Sequence, residues 1–223
     1  MNEPLDEPKP IRVFLVDDQA MIRAGFRSLV SADPRFAVVG DSGDPRAAIG
    51  SIGKLKPDIV LLDITMPGLS GLDAIALIRE VHEGARIVML THHEGESFVT
   101  HALEAGADGY LSKDSDQAEL SVALLAVQRG NPYVSPKVAG GLLRRGSRPG
   151  APETKSKIDE LTPREREVFQ LLALGKSNKE VARALDMSVG TAKKHRENLQ
   201  RKLDCHGTAE LALLAVKEGL IEA

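Results

Sequence analysis

Two rhythms of apolar and polar positions divide this chain. From residue 11 to residue 130, short apolar runs alternate with amphipathic stretches. Residues 11–16, 36–40, 58–62, 86–90 and 109–112 read as strands, with starts 22 to 28 residues apart. Between and after them, residues 21–30, 45–55, 72–82, 97–105 and 116–128 carry the spacing of helices with one apolar face. The strand segments are almost wholly apolar, as expected of strands covered on both faces of a parallel sheet. Five strand–helix units in series predict a doubly wound, five-stranded parallel α/β domain, (βα)5, with right-handed crossovers over residues 10–130.

The rhythm is lost in residues 131–157, where Asn131-Pro132, Pro136, Gly140-Gly141 and the run Arg145 to Glu153 concentrate turn and linker residues. Val138, Leu142 and Leu143 would share a face of a short helix at 136–143, and a flexible linker is expected after it. Residues 158–223 carry helical patterns and no strand. Thr162-Pro-Arg-Glu165 and Ser177-Asn-Lys-Glu180 are capping boxes, the first with proline at the first helical position. The helices they open run to Gly175 and Leu185; a third is expected over 189–203, capped by Ser188, and a fourth over 208–218. Four short helices with a three-residue turn between the second and third give helix-turn-helix geometry, so the second domain is expected to be all-α.

Composition narrows the class without deciding the chemistry. Hydrophobic residues at 42% and charged residues at 27% describe an ordinary globular chain. No apolar run approaches the ~20 residues that cross a bilayer, and the start after Met1 is polar and acidic, so neither a membrane span nor a secretory signal is expected. Cys205 is the single cysteine and fits a reducing compartment, which places the chain in the cytoplasm. The net charge of -3 hides an asymmetry. Residues 1–130 hold 12 Lys and Arg against 20 Asp and Glu, a net of -8; the rest holds 17 against 12, or +5. The basic half suits a polyanion.

Candidate chemistry gathers at the carboxyl ends of the predicted strands, where open α/β sheets bind ligands. Asp17 and Asp18 follow the first strand, Asp63 the third, Thr91 ends the fourth, and Lys113 follows the fifth. Singly, each reads as a solvated loop residue or cap; together they place three carboxylates, a hydroxyl and an ammonium on one surface. Clustered carboxylates raise one another's pKa unless a cation sits among them, and an oxygen-only set suits Mg²⁺. A carboxylate can also be phosphorylated, with the lysine and threonine on the phosphoryl oxygens. The surface is built for phosphoryl transfer to a carboxylate.

Val16-Asp-Asp-Gln19, Leu61-Leu-Asp-Ile-Thr-Met-Pro-Gly68, Val88-Met-Leu-Thr91 and Ala105-Gly-Ala-Asp-Gly-Tyr-Leu-Ser-Lys113 resemble the receiver domain of bacterial two-component response regulators. The resemblance implies Asp63 as phosphoacceptor, Asp18 as a direct Mg²⁺ ligand, Asp17 as a ligand through water, and the Thr65 backbone carbonyl as a further ligand. It implies Thr91 and Lys113 on the phosphoryl group and Tyr110 as a switch aromatic, against the plainer reading of a strand aromatic packed in place. Three positions depart from the common pattern: Thr65 replaces Asn, His92 replaces a small residue, and Asp114 replaces Pro. His92 bears on phosphoryl lifetime. The adjacent pair His92-His93 lacks a third ligand at metal spacing and reads as surface histidines.

Leu161-Thr-Pro-Arg-Glu-Arg-Glu-Val168, Ser177-Asn-Lys-Glu-Val-Ala182 and Thr191-Ala-Lys-Lys-His195 resemble the LuxR-type helix-turn-helix of the NarL/FixJ subfamily. Independently of that resemblance, helix 189–203 carries Lys193, Lys194, His195, Arg196, Arg201 and Lys202 with little acid, a set suited to DNA phosphates. Lys193, Lys194 and Glu197 are the candidate base contacts; Thr191, His195 and Arg201 are candidates for the backbone. Ala192 stands where the family usually has Val. Leu211, Leu214 and Val216 on the last helix are candidates for a dimer contact or for core. Gly175-Lys176-Ser177 is not a P-loop, because Gln170 stands where that motif needs glycine.

The resulting expectation is a DNA-binding transcriptional regulator, not an enzyme, phosphorylated on Asp63 by a sensor histidine kinase with Mg²⁺. It would bind double-stranded DNA as a homodimer through helix 189–203, once the receiver releases the helices it covers or dimerises. A hydrolase of the haloacid dehalogenase type also forms an aspartyl-phosphate, but it needs a second Asp where this chain has Thr65. A front domain that is never phosphorylated and only binds proteins is the other alternative.

Overall fold

A computed structural model describes residues 9–91, 96–139, 158, 160–205 and 207–217. The first half is a parallel sheet flanked by helices. Its strands are β1 (Ile11–Val16), β2 (Phe36–Ser42), β3 (Ile59–Asp63), β4 (Arg86–Thr91), β5 (Gly109–Ser112) and β6 (Tyr133–Val134), in the spatial order β2-β1-β3-β4-β5-β6. The helices are α1 (Ala20–Ser31), α2 (Pro45–Leu55), α3 (Gly71–Val81), α4 (Glu96–Glu104) and α5 (Gln117–Gln128).

Period-two alternation in β1 sorts the core into two layers. Phe14 and Val16 join Ile52 of α2, Ile75 and Ile78 of α3, and Ala102 of α4 on one face. Val13 and Leu15 join Phe26 and Val30 of α1 and Leu120, Leu124 and Val127 of α5 on the other. Because both faces are covered, β3 is buried along its whole length. One irregularity sits between β1 and β2, where the register shifts between Val13 and Phe14. Gly40 lies opposite; a Cβ there would come within 2.6 Å of the Phe14 ring, so only glycine fits without moving it.

The five expected strands are present, but the sheet has six. Tyr133 and Val134 pair in parallel with Gly109 and Tyr110. The Tyr133 N–H donates to the Asp108 carbonyl at 3.2 Å, the Ser135 N–H donates to that of Tyr110 at 2.9 Å, and Ser135 Oγ donates to Glu119 of α5 at 2.6 Å. Two residues beside Pro132 are too short for an alternation to register, so the edge strand lies hidden inside the expected linker. Residues 136–139 are helical; the rest of the short helix expected to 143, and the linker run 145–157, lie outside the described residues.

The second half holds α6 (Pro163–Ala173), α7 (Asn178–Ala184), α8 (Val189–Leu203) and α9 (Thr208–Lys217). Both expected capping boxes form: Thr162 with Glu165, and Ser177 with Glu180. Val168, Phe169, Leu172, Val181, Leu199, Leu203 and Leu211 are the centre of a separate core. Among the described residues, two ion pairs cross between the halves. Arg166 Nη1 of α6 lies 2.7 Å from Asp73 Oδ1 in the first turn of α3, and Arg46 of α2 pairs with Glu167. No helix among the described residues is long and apolar enough to cross a membrane.

Candidate functional site

Strand order reverses at β1, and the polar residues converge at the carboxyl ends beside it. Asp17 and Asp18 follow the end of β1, Asp63 is the last residue of β3, Thr91 ends β4, and Lys113 follows β5. Asp17, Asp18 and Asp63 each offer a carboxylate oxygen, and the three atoms lie within 4.8 Å of one another. Asp17 and Asp63 are buried and Asp18 is exposed. Lys113 Nζ stands between the buried pair, 2.9 Å from Asp17 Oδ2 and 2.9 Å from Asp63 Oδ1. Backbone N–H groups hold the same acids: Gln19 donates to Asp17 Oδ1 at 2.8 Å, and Thr65 to Asp63 Oδ1 at 3.2 Å. Asp63 Oδ2 is buried and accepts no hydrogen bond.

Burial pushes the Asp63 carboxyl up to about 7; the Lys113 ammonium opposes that shift and the Asp17 carboxylate adds to it. Burial also works against the Lys113 ammonium, but the two carboxylates outweigh it and hold its pKa above the usual lysine value. One ammonium thus serves two buried acids, with a third acid at the mouth. A hard divalent cation held by oxygen ligands fits this set, and the unbonded Asp63 oxygen is free to meet it.

Thr91 and Tyr110 lie on adjacent strands, with Thr91 opposite Ser112 and Met89 opposite Tyr110. Tyr110 is fully buried. Burial pushes its phenol up to about 12, opposed by its hydrogen bond with the Thr91 side chain. Tyr110 is therefore packed in place, and its phenol is hydrogen-bonded to the Thr91 side chain. His92 and His93 lie outside the described residues. Asp114 points away, to an exposed pair with Lys137 at 3.2 Å.

The start of α3 presses against the acceptor strand. The Gly71 N–H donates to the Ile64 carbonyl at 2.9 Å, and a Cβ at Gly71 would fall 1.9 Å from the Asp63 carbonyl oxygen. No side chain fits there without displacing the Asp63 backbone. Ser70 caps this helix by accepting the Asp73 N–H, and its own hydroxyl donates to Asp73 Oδ2 at 2.7 Å. The Gly71 contact has no signal in the sequence beyond a turn-rich Gly-Leu-Ser-Gly, whereas Ser70-Gly-Leu-Asp73 before an apolar run carries the spacing of a capped helix start.

A second polar surface lies on α8. Ser188 caps it by accepting the Thr191 N–H at 3.0 Å, and the two hydroxyls are 2.8 Å apart. Thr191, Lys193, Lys194, Glu197 and Arg201 are exposed and His195 is half-buried. Among the described residues, the ion pairs from the receiver half engage α6 and leave these α8 side chains open. Ala192 faces the core. Lys202 is drawn from the basic set to Glu165 at 2.8 Å, and Arg196 to the Thr208 hydroxyl at 2.8 Å. Leu211 is core, Leu214 and Val216 pack against it, and Leu213 is a large apolar residue of α9 that stands exposed.

Comparison with known proteins matches each half separately. Residues 13–125 match the model of the response regulator receiver domain, and residues 159–215 that of bacterial regulatory proteins of the luxR family. The chain is 38% identical to the nitrate/nitrite response regulator protein NarP of Escherichia coli over 214 residues, covering 96% of this chain and 98% of NarP. It is 32% identical to the transcriptional regulatory protein DegU of Brevibacillus brevis, covering 100% of this chain and 99% of DegU. Among solved structures, it resembles the response regulator ChrA of a heme-sensing two-component system, at TM-score 0.52 and 32% identity, over 95% of this chain and 99% of ChrA. It also resembles the response regulator RcsB in a complex with DNA, at TM-score 0.57 and 25% identity, over 92% of this chain and 98% of RcsB.

Proposed function

Because this chain belongs to the transcriptional response regulators that join a receiver domain to a LuxR-type DNA-binding domain, we propose that Asp63 accepts a phosphoryl group from a sensor histidine kinase. The single observation that carries this reading is the buried Asp63 Oδ2, unbonded beside the Lys113 ammonium at the sheet's carboxyl end. We assign residues 10–130, extended by the β6 pair, to the receiver, and 158–223 to the DNA-binding domain.

In the transfer, an Asp63 carboxylate oxygen attacks phosphorus, the P–N bond of the kinase phosphohistidine breaks, and the imidazole leaves with the bond's electrons and takes up a proton. The acid must be ionised to attack, and Lys113 favours that form against the burial that opposes it. Asp18, Asp17, Asp63 and the Thr65 carbonyl would hold Mg²⁺, which supplies positive charge to the acids and to the transferred phosphoryl oxygens when bound. Lys113 then has a phosphoryl oxygen to neutralise, and the Thr91 hydroxyl another to bond. Moving Thr91 toward the phosphoryl group breaks its bond with Tyr110, which links the acceptor to the β4–β5 side of the sheet.

The output is promoter DNA. Lys193, Lys194 and Glu197 stand exposed on α8 for base edges, with Thr191, His195 and Arg201 beside them for the backbone. A homodimer would set two such helices on half-sites about one helical turn apart; exposed Leu213 of α9 fits the contact between copies. The DNA complex of RcsB supports this use of the second domain. Acetyl phosphate with Mg²⁺, read by intact mass, tests the acceptor. The wild type should gain one phosphoryl adduct and Asp63→Asn none; an adduct that persists in the variant moves the acceptor elsewhere.

A further inference from the structure

We propose that Arg23 is a positioning residue for the Mg²⁺ ligands Asp17 and Asp18. The inference rests on the reading of the acid cluster given above.

Arg23 lies near the start of α1 and reaches back over the turn that carries both acids. Its Nη1 donates to the Asp17 carbonyl at 2.7 Å and to the Asp18 carbonyl at 3.2 Å. Its Nε donates to Asp41 Oδ2 at 3.1 Å, at the end of β2, and Arg27 pairs with the same carboxylate. The guanidinium lies close against Gly43, where a Cβ would stand 2.9 Å from Nη1. Two nitrogens of the guanidinium, Nε and Nη1, are therefore engaged, and Gly43 lies against the group.

The chain leaves the sheet at this point. The Asp17 N–H still donates to the Ser42 carbonyl at 3.2 Å. Beyond it the chain turns into α1, and Arg23 takes up the carbonyls of Asp17 and Asp18. Fixing those two peptide planes fixes where both Cβ atoms point, and hence where the carboxylates meet Asp63. A planar fork can bridge two carbonyls and a carboxylate together; a lysine ammonium on a flexible stem cannot hold that geometry.

Geometry and charge make opposite predictions here. By Coulomb's law alone, removing a nearby cation would tighten Mg²⁺ binding. By positioning, removing it frees the ligand turn and weakens binding. Arg23→Lys keeps the charge and loses the fork, so it separates the two effects.

The test is titration of the metal-stripped full chain with MgCl₂ by calorimetry, alongside acetyl phosphate labelling at saturating Mg²⁺ and a thermal melt. Arg23→Ala and Arg23→Lys should each raise the Mg²⁺ dissociation constant roughly tenfold, the equivalent of about 1.4 kcal/mol. Asp41→Asn should raise it less, and Arg27→Ala should leave it unchanged. Labelling rates at saturating Mg²⁺ should stay near the wild-type rate, since the metal completes the geometry when it is forced in. A folded Arg23→Ala with unchanged or tighter Mg²⁺ binding overturns the proposal. If that variant does not fold, wild-type affinity in Arg23→Lys and Asp41→Asn overturns it equally. Asp63→Asn run in parallel keeps the readings apart: labelling that survives there refutes the acceptor assignment while the affinity series still decides Arg23. A wild type that takes no Mg²⁺ refutes both.

Discussion

Without Mg²⁺, replacing Asp63 by asparagine should stabilise the receiver, and by more as the pH rises. The Asp63 carboxyl moves from 3.8 to about 7, chiefly through burial, with Lys113 opposing the shift and Asp17 adding to it. Below the unfolded value both states keep the proton, and the acid's contribution is fully present. Between 3.8 and about 7 the folded protein holds a proton that the unfolded chain has released. Stability then falls as pH rises, by about 1.4 kcal/mol per unit, for a total of about 4 kcal/mol lost once the pH passes the folded value. Asparagine has nearly the same shape and no proton to lose, so the variant lacks this slope. Both tyrosines, Tyr110 and Tyr133, lie in the receiver and the chain has no tryptophan, so the tyrosine band of the near-ultraviolet circular dichroism follows that half. Urea unfolding in EDTA should give a difference between variant and wild type that grows from about pH 4 to about pH 8 by up to ~4 kcal/mol. Mg²⁺ should then narrow it by stabilising only the wild type appreciably. A difference that stays flat or shrinks with pH would refute the reasoning.

Lys193→Ala and Lys194→Ala should weaken promoter binding while leaving acetyl phosphate labelling unchanged. If the lysine meets a phosphate, its removal should lower the salt slope of binding by about 1; if it meets a base edge, its removal should cost about 1–3 kcal/mol at one sequence position. Identical affinity, sequence preference and salt slope in the double variant would remove α8 from the interface. The ion pairs Asp73–Arg166 and Arg46–Glu167 should hold the two halves together in solution. Asp73→Asn, or raising salt to about 0.5 M, should enlarge the radius of gyration measured by small-angle scattering; an unchanged radius would show that these pairs do not set the arrangement.

The buried parts of the fold are the legible ones. β1, β3 and β4 are apolar because helices cover both sheet faces, and that constraint writes itself into consecutive residues. Helix starts are legible where a side chain caps them, as at Thr162, Ser177 and Ser188; at α1, which begins at Ala20, Gln19 makes no side-chain cap and so marks no start in the sequence. β6 escapes because two residues carry no period. The acids and Lys113 are found because a parallel sheet brings its carboxyl ends together. Arg23 and Gly71 escape because their roles are interactions with backbone carbonyls, set by how a helix returns over a turn. Such interactions leave no spacing rule. The exposure of α8 is hidden for a related reason: which surface an ion pair selects depends on two folded partners, and Asp73 and Arg166 are far apart in the chain.

The acid site departs from the rules that govern the rest of the receiver, and the departure is informative. Elsewhere the core consists of apolar layers on the two sheet faces, and the buried Asp33 is paired with its own arginine. At the end of β3, one ammonium answers two buried carboxylates and a third lies at the mouth, so full ionisation leaves negative charge uncompensated. A fold optimised for stability alone would replace Asp63, which is why the asparagine variant is expected to be the more stable protein. The unfavourable term disappears when positive charge enters, so the energy of this site depends on its occupancy more than on its packing. The same strand end abuts Gly71, and the first turn of α3 carries Asp73, whose carboxylate holds Arg166 of the DNA-binding half. The proposed phosphoacceptor is therefore joined to the DNA-binding half through the first turn of one helix.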